Sequence, residues 1–71
     1  MIMKNINKNL TTYEVFNLAI ENHQKNNLSQ AQNLYNEVLK RKPNHTGAYN
    51  NLGMISFNLG DYQKATNYFE K

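Results

Sequence analysis

The sequence predicts an all-α fold, and three observations predict it. Residue types return at an interval of 34: Leu18 with Leu52, Ala31 with Ala65, Tyr35 with Phe69, and the identical pairs Thr12 and Thr46, Asn17 and Asn51, Asn33 and Asn67. Apolar residues in each copy fall at helical spacing, on one face of a 3.6-residue turn. No stretch alternates apolar and polar residues as a half-buried strand requires. A unit of this period buries its apolar face only by stacking on neighbours, so the chain reads as a piece of an interaction solenoid.

The elements follow in order. Residues 1–11 are expected to be a flexible leader: Met1 to Leu10 carries two lysines and three asparagines among scattered apolar residues, with no apolar run that suits a signal peptide or a membrane span. Thr11 followed three residues on by Glu14 forms a capping box, and Val15, Leu18 and Ala19 continue the first helix to near Lys25. Asn26-Asn27 is a turn pair that tolerates positive φ. Leu28, Ala31, Leu34, Tyr35, Val38 and Leu39 then draw a second apolar stripe, which Pro43 stops close to Lys42. Asn44 or Thr46 is expected to cap a third helix carrying Tyr49, Leu52, Gly53 and Phe57, closed by Gly60 just beyond its end. A fourth helix carries Tyr62, Ala65, Tyr68 and Phe69. Small residues at Ala19 opposite Ala31, and at Gly53 opposite Ala65, allow close helix approach, with Tyr35 and Phe69 filling the space beside them.

Composition narrows the function. Seventy-one residues without a cysteine make one small domain that must draw its stability from stacking. The missing thiols leave the redox compartment open and fit a cytoplasmic location. Eight basic against five acidic residues give a net charge of +3, but the one dense basic run, Lys40-Arg41-Lys42, sits where cations complement a helix C-terminus. No basic surface is interleaved with aromatics, so a nucleic-acid partner is not expected. His23 and His45 lie 22 residues apart with no carboxylate at ligand spacing beside either, which gives no metal site. Glu14, Glu21, Glu37, Asp61 and Glu70 are dispersed, and Gly47, Gly53 and Gly60 form no phosphate loop. No catalytic residue, cofactor or membrane contact is expected.

Residue by residue, Val15, Leu18, Ala19, Ala31, Tyr35, Val38 and Pro43 in one copy, and Tyr49, Leu52, Gly53, Ala65 and Phe69 in the next, resemble the tetratricopeptide repeat. The run Asn51-Leu52-Gly53 and the turn Gly60-Asp61-Tyr62 add to the likeness, while Asn22 and Ser56 stand where the family usually has an aromatic. The resemblance implies two antiparallel helix–turn–helix units, residues 12–45 and a second, truncated one at 46–71, forming the start of a right-handed α-solenoid. It implies a protein–protein interaction module in which the first helix of each unit lines a concave groove for a peptide or partner helix. Tyr13, Phe16, Asn17, Ile20, His23 and Gln24, then Gly47, Asn50, Asn51, Met54, Phe57 and Asn58, fall there. Asn17 and Asn51 resemble the asparagine ladder of O-linked N-acetylglucosamine transferase, whose amides hold a peptide backbone. The cationic carboxylate clamp of chaperone-binding members is missing, since Phe16, Ile20, Asn50 and Met54 occupy those places. The alternative to a free-standing scaffold module is the recognition segment of a larger enzyme, such as a glycosyltransferase-like protein. Finally, Tyr49, Met54, Phe57, Tyr62, Tyr68 and Phe69 form a face that a further repeat would cover, so a homodimer or larger self-stacked assembly is expected.

Overall fold

The computed structural model describes residues 9–71, and from Thr12 on the described residues form four helices: α1, Thr12–Gln24; α2, Leu28–Arg41; α3, Thr46–Asn58; and α4, Tyr62–Phe69. They pack pairwise, α1 on α2 and α3 on α4, with α2 against α3 joining the hairpins. This all-α arrangement is that of two helix–turn–helix units. Most of the leader, residues 1–8, lies outside the described residues.

Local chemistry sets the boundaries. Thr11 is the N-cap of α1, with Glu14 N donating to Thr11 Oγ1 at 3.1 Å and Thr11 N donating to Glu14 Oε1 at 2.9 Å, so the expected capping box is present. At the other end Asn26 adopts φ 65°. Its amide bonds the His23 carbonyl at 3.0 Å, and the Asn27 amide bonds that of Asn22 at 2.8 Å. The second hairpin repeats this closure 34 residues on: Gly60 has φ 85°, Gly60 N bonds Phe57 O at 3.0 Å, and Asp61 N bonds Ser56 O at 2.9 Å. These paired bonds are the Schellman closure, and they satisfy carbonyls that a helix end leaves unpaired.

The third helix begins differently from the expectation. Neither Asn44 nor Thr46 is its cap; His45 is, its Nδ1 accepting from Ala48 N at 3.1 Å. The His45 ring also packs 4.6 Å from that of Phe16, so one imidazole caps α3 and joins it to α1. Gly47 makes room for this contact, because a Cβ there would lie 2.9 Å from Phe16 Cζ.

The core runs through the middle of the molecule. Val15 and Ala19 of α1, Ala31, Leu34, Tyr35 and Val38 of α2, and Ala48, Leu52 and Ile55 of α3 form one buried cluster. On α3, Ala48 and Ile55 are buried beside Leu52; Phe57, which the sequence also placed among the groove and self-association residues, is exposed, and Tyr49 is only partly covered. Leu18 is also half-buried, whereas its counterpart Leu52 is fully enclosed. Gly53 does allow a close approach, but the group that fills its missing side chain is the Phe69 ring, which a Cβ would overlap.

The lower end of α2 carries a polar clasp. Arg41 donates from its guanidinium to the Leu10 carbonyl at 2.6 Å and, through Nε, to Glu37 Oε2 at 3.2 Å; Lys40 Nζ lies 3.8 Å from Glu37 Oε1. Glu37 is thus partnered, not merely a solvated-face carboxylate. The clasp ties the strand of chain entering α1 to the end of α2 and closes the first hairpin.

Candidate functional site

α1 and α3 wall a cavity of about 390 Å³, lined by Ile20, His23, Gln24, Asn51 and Met54, with Tyr35 of α2 as its floor. The helical period explains the α1 contribution, since Ile20, His23 and Gln24 stand at i, i+3 and i+4. Asn51 and Met54 occupy the same relation on α3.

Tyr35 links the two walls. Its ring is buried in the core, while its hydroxyl lies 3.2 Å from His23 Nδ1 and is hydrogen-bonded to the Asn51 side chain. Burial pushes the phenol above its ordinary pKa, and the Asn51 bond opposes that shift. A donor to the phenolic oxygen has this opposing effect, because it stabilises the phenolate. The rings of His23 and Tyr35 meet edge to face, with centroids 6.0 Å apart.

The other expected groove residues are dispersed. Phe16 is packed against Tyr35 at 5.8 Å and against His45, serving as a joint between α1 and α3. Asn17 lines a different cavity, of about 520 Å³, with Leu10, Glu14, Leu18, Ile20, Glu21 and Gln24 on the outer side of α1. Asn17 and Asn51 thus share a repeat position without lining one cavity. Tyr13 is 73% exposed and Asn50 is exposed, and neither joins the cavity walls. Phe57 lies with Met54, Asn58 and Phe69 around a third depression of about 300 Å³ between α3 and α4. Met54 lines both this depression and the central cavity.

Among the residues expected at the self-association face, Met54, Phe57, Tyr62 and Phe69 are exposed large apolar side chains. The Phe57 and Tyr62 rings meet at a tilt of 57°, with centroids 5.2 Å apart. Tyr49 and Tyr68 form a separate pair with ring centroids 6.5 Å apart, and the Tyr49 hydroxyl donates to the Pro43 carbonyl at 2.8 Å. Those two side chains are partly buried.

Tyr35 is the groove residue that sequence reasoning assigned to the core alone. Its signal was in the repeat comparison: the second copy has Phe69 at that position, so the first copy's hydroxyl needed a separate explanation. A phenol in a core requires a partner. Among the described residues, the cavity lining includes no Lys, Arg, Asp or Glu. Ile20 and Met54 can accept an apolar side chain, and the amides of Gln24 and Asn51 can both donate to and accept from a peptide unit.

Two family models described as tetratricopeptide repeat match the chain, one over residues 15–45 and the other over residues 34–67. No curated protein and no solved structure matches it. The overlapping matches together cover residues 15–67, from within α1 to within α4. Repeats of this kind are generally protein–protein interaction modules. By its sequence and by its paired helical hairpins, the chain belongs to the tetratricopeptide repeat family.

Proposed function

We propose that this chain is a non-enzymatic interaction module whose α1/α3 groove takes an uncharged peptide segment or partner helix, with one apolar side chain as anchor. The carrying observation is the cavity between Ile20 and Met54, floored by the hydrogen-bonded chain His23–Tyr35–Asn51. A floor whose polar groups already satisfy one another is preorganised, which limits the ordering cost of binding. Support for the asparagine-ladder variant, in which the chain serves a larger glycosyltransferase-like enzyme, is weaker. The Asn51 amide is engaged by Tyr35, and Asn17 faces another cavity.

Selection from a displayed library of short random peptides tests the groove. Enriched peptides are expected to share an apolar anchor and to lose binding to a Gln24→Arg, Met54→Glu variant that retains its helical circular dichroism. Enrichment indifferent to both substitutions would overturn the groove assignment.

A second reading, self-association, draws on a different observation: Met54, Phe57, Tyr62 and Phe69 are all half or more exposed on the α3/α4 side. Contiguous exposed aromatics of this kind mark interaction surfaces.

A further inference from the structure

The two outer sides of the molecule differ in chemistry, although the repeat makes them equivalent in position. Ala48, Leu52 and Ile55 are the α3 residues that enter the buried cluster shared with α2. Subtracting 34 from each gives Glu14, Leu18 and Glu21 on α1. These three residues line the outer cavity of α1. Thus α1 carries two carboxylates where α3 carries an alanine and an isoleucine.

The α4 side has the opposite character. Leu28 and Tyr35 of α2 correspond to Tyr62 and Phe69 of α4, and these aromatics stand exposed beside Phe57. Continuation of the solenoid by another copy, head to tail, places its α1 on this face as α3 sits on α2. That contact carries Glu14 and Glu21 onto aromatic rings. Desolvating two carboxylates without paired cations is strongly unfavourable. Lys64 does not supply one, because its counterpart Gln30 stays exposed although α3 covers α2. Lys71 corresponds to Glu37, which is turned toward Arg41 and the α1 side of α2.

Resting on the self-association reading, we infer that the second copy binds through the same face, α3/α4 to α3/α4 about a two-fold axis, and that the glutamates of α1 block head-to-tail growth. An isologous contact brings Met54, Phe57, Tyr62 and Phe69 together with no ionised side chain among them. Half-exposed side chains of this size offer about 400 Å² per copy, or about 800 Å² for the pair, below the size of a stable specific interface and within that of weak, transient contacts. The dimer is therefore weak and concentration-dependent.

The chain has no cysteine, so single introduced thiols report on geometry cleanly. Asn58→Cys and Gln24→Cys place them on the α3/α4 depression and on the α1 cavity, respectively. Sedimentation of the wild-type chain is expected to plateau at dimer. Mild oxidation should cross-link Asn58→Cys to itself, and should leave Gln24→Cys uncross-linked both alone and mixed with Asn58→Cys. Phe57→Glu, with helicity retained, should weaken dimerisation by about 30-fold or more, the hot-spot threshold. Species growing beyond dimer, or Asn58→Cys cross-linking to Gln24→Cys, would overturn the two-fold arrangement and leave self-association standing. A monomer at every concentration would overturn self-association itself, and a dimer unaffected by Phe57→Glu would overturn the choice of face.

Discussion

The inner helices and the outer helices of this molecule use corresponding residues to different ends. Tyr35 and Phe69 occupy one repeat position, yet Tyr35 is fully buried and Phe69 is 50% exposed. Leu52 is enclosed in the core, whereas Leu18, its counterpart on α1, is half-buried. α2 and α3 have neighbours on two sides; α1 and α4 each lean chiefly on one hairpin partner. Burial at a repeat position is therefore a property of the stack, and a repeat pattern alone does not assign it.

The largest test of this contrast is truncation of the two aromatics. Tyr35→Ala removes a buried ring and the hydroxyl bonding His23 and Asn51, and should cost about 3–5 kcal/mol. Phe69→Ala should cost under about 2 kcal/mol, because its ring is already half in water. Urea unfolding followed by circular dichroism measures both. Equal losses would mean that the two hairpins contribute alike and that the contrast is false.

The helix boundaries were largely legible, because each rests on local chemistry. Thr11 and Glu14 cap α1, Asn26 takes the left-handed conformation, and Gly60 repeats it. The buried side of α3 was not legible. Ala48, Tyr49, Leu52, Met54, Ile55 and Phe57 make that helix apolar nearly all round, so spacing does not single out one face. Neighbouring helices bury Ile55 and leave Phe57 in water, a choice that only the packing makes. His45 escaped notice because side-chain capping is ordinarily the work of Ser, Thr, Asp and Asn. Of the groove, the helix faces were readable, but which of their residues share a cavity depended on how α1 and α3 sit over Tyr35.

A sharper probe compares Ala19 with Gly53, which also share a repeat position. A Cβ on Gly53 would come 2.7 Å from Phe69 Cδ1, so Gly53→Ala must displace the ring. Overpacking costs about 1–3 kcal/mol, and the better helix propensity of alanine returns about 1 kcal/mol. A net loss of about 1 kcal/mol is expected. In a Phe69→Ala background the same change should stabilise the chain, by about 0.5–1 kcal/mol. A double-mutant cycle on the denaturation midpoints checks this reversal, and an unchanged sign would remove Phe69 as the reason for the glycine.

The smallest effect concerns the two turns. Asn26 and Gly60 both hold positive φ, but only glycine does so without side-chain strain. Asn26→Gly should raise stability by about 0.5 kcal/mol, and Gly60→Ala should lower it by about 1 kcal/mol. Nothing lies within 4 Å of a Cβ on Gly60, so the second loss reports backbone conformation alone. Thermal midpoints that do not move in opposite directions would show the two turns to be unequal despite their matching hydrogen bonds.

The pairing of helices also sets the order of events in time. Each helix packs mainly on the one beside it in sequence, so most native contacts form by closing short loops. Such a chain need not wait for distant segments to meet, and folding in microseconds to milliseconds follows from that topology. The Arg41 clasp on the Leu10 carbonyl and the Phe16–His45 ring contact reach further, joining residues 31 and 29 apart, and the clasp completes the first hairpin only after both of its helices exist. Opening should proceed from the other side, where α4 has eight residues and one buried side chain, Ala65. Its amides are expected to exchange with solvent earliest and those of α2 last, giving the molecule a direction in which it comes apart.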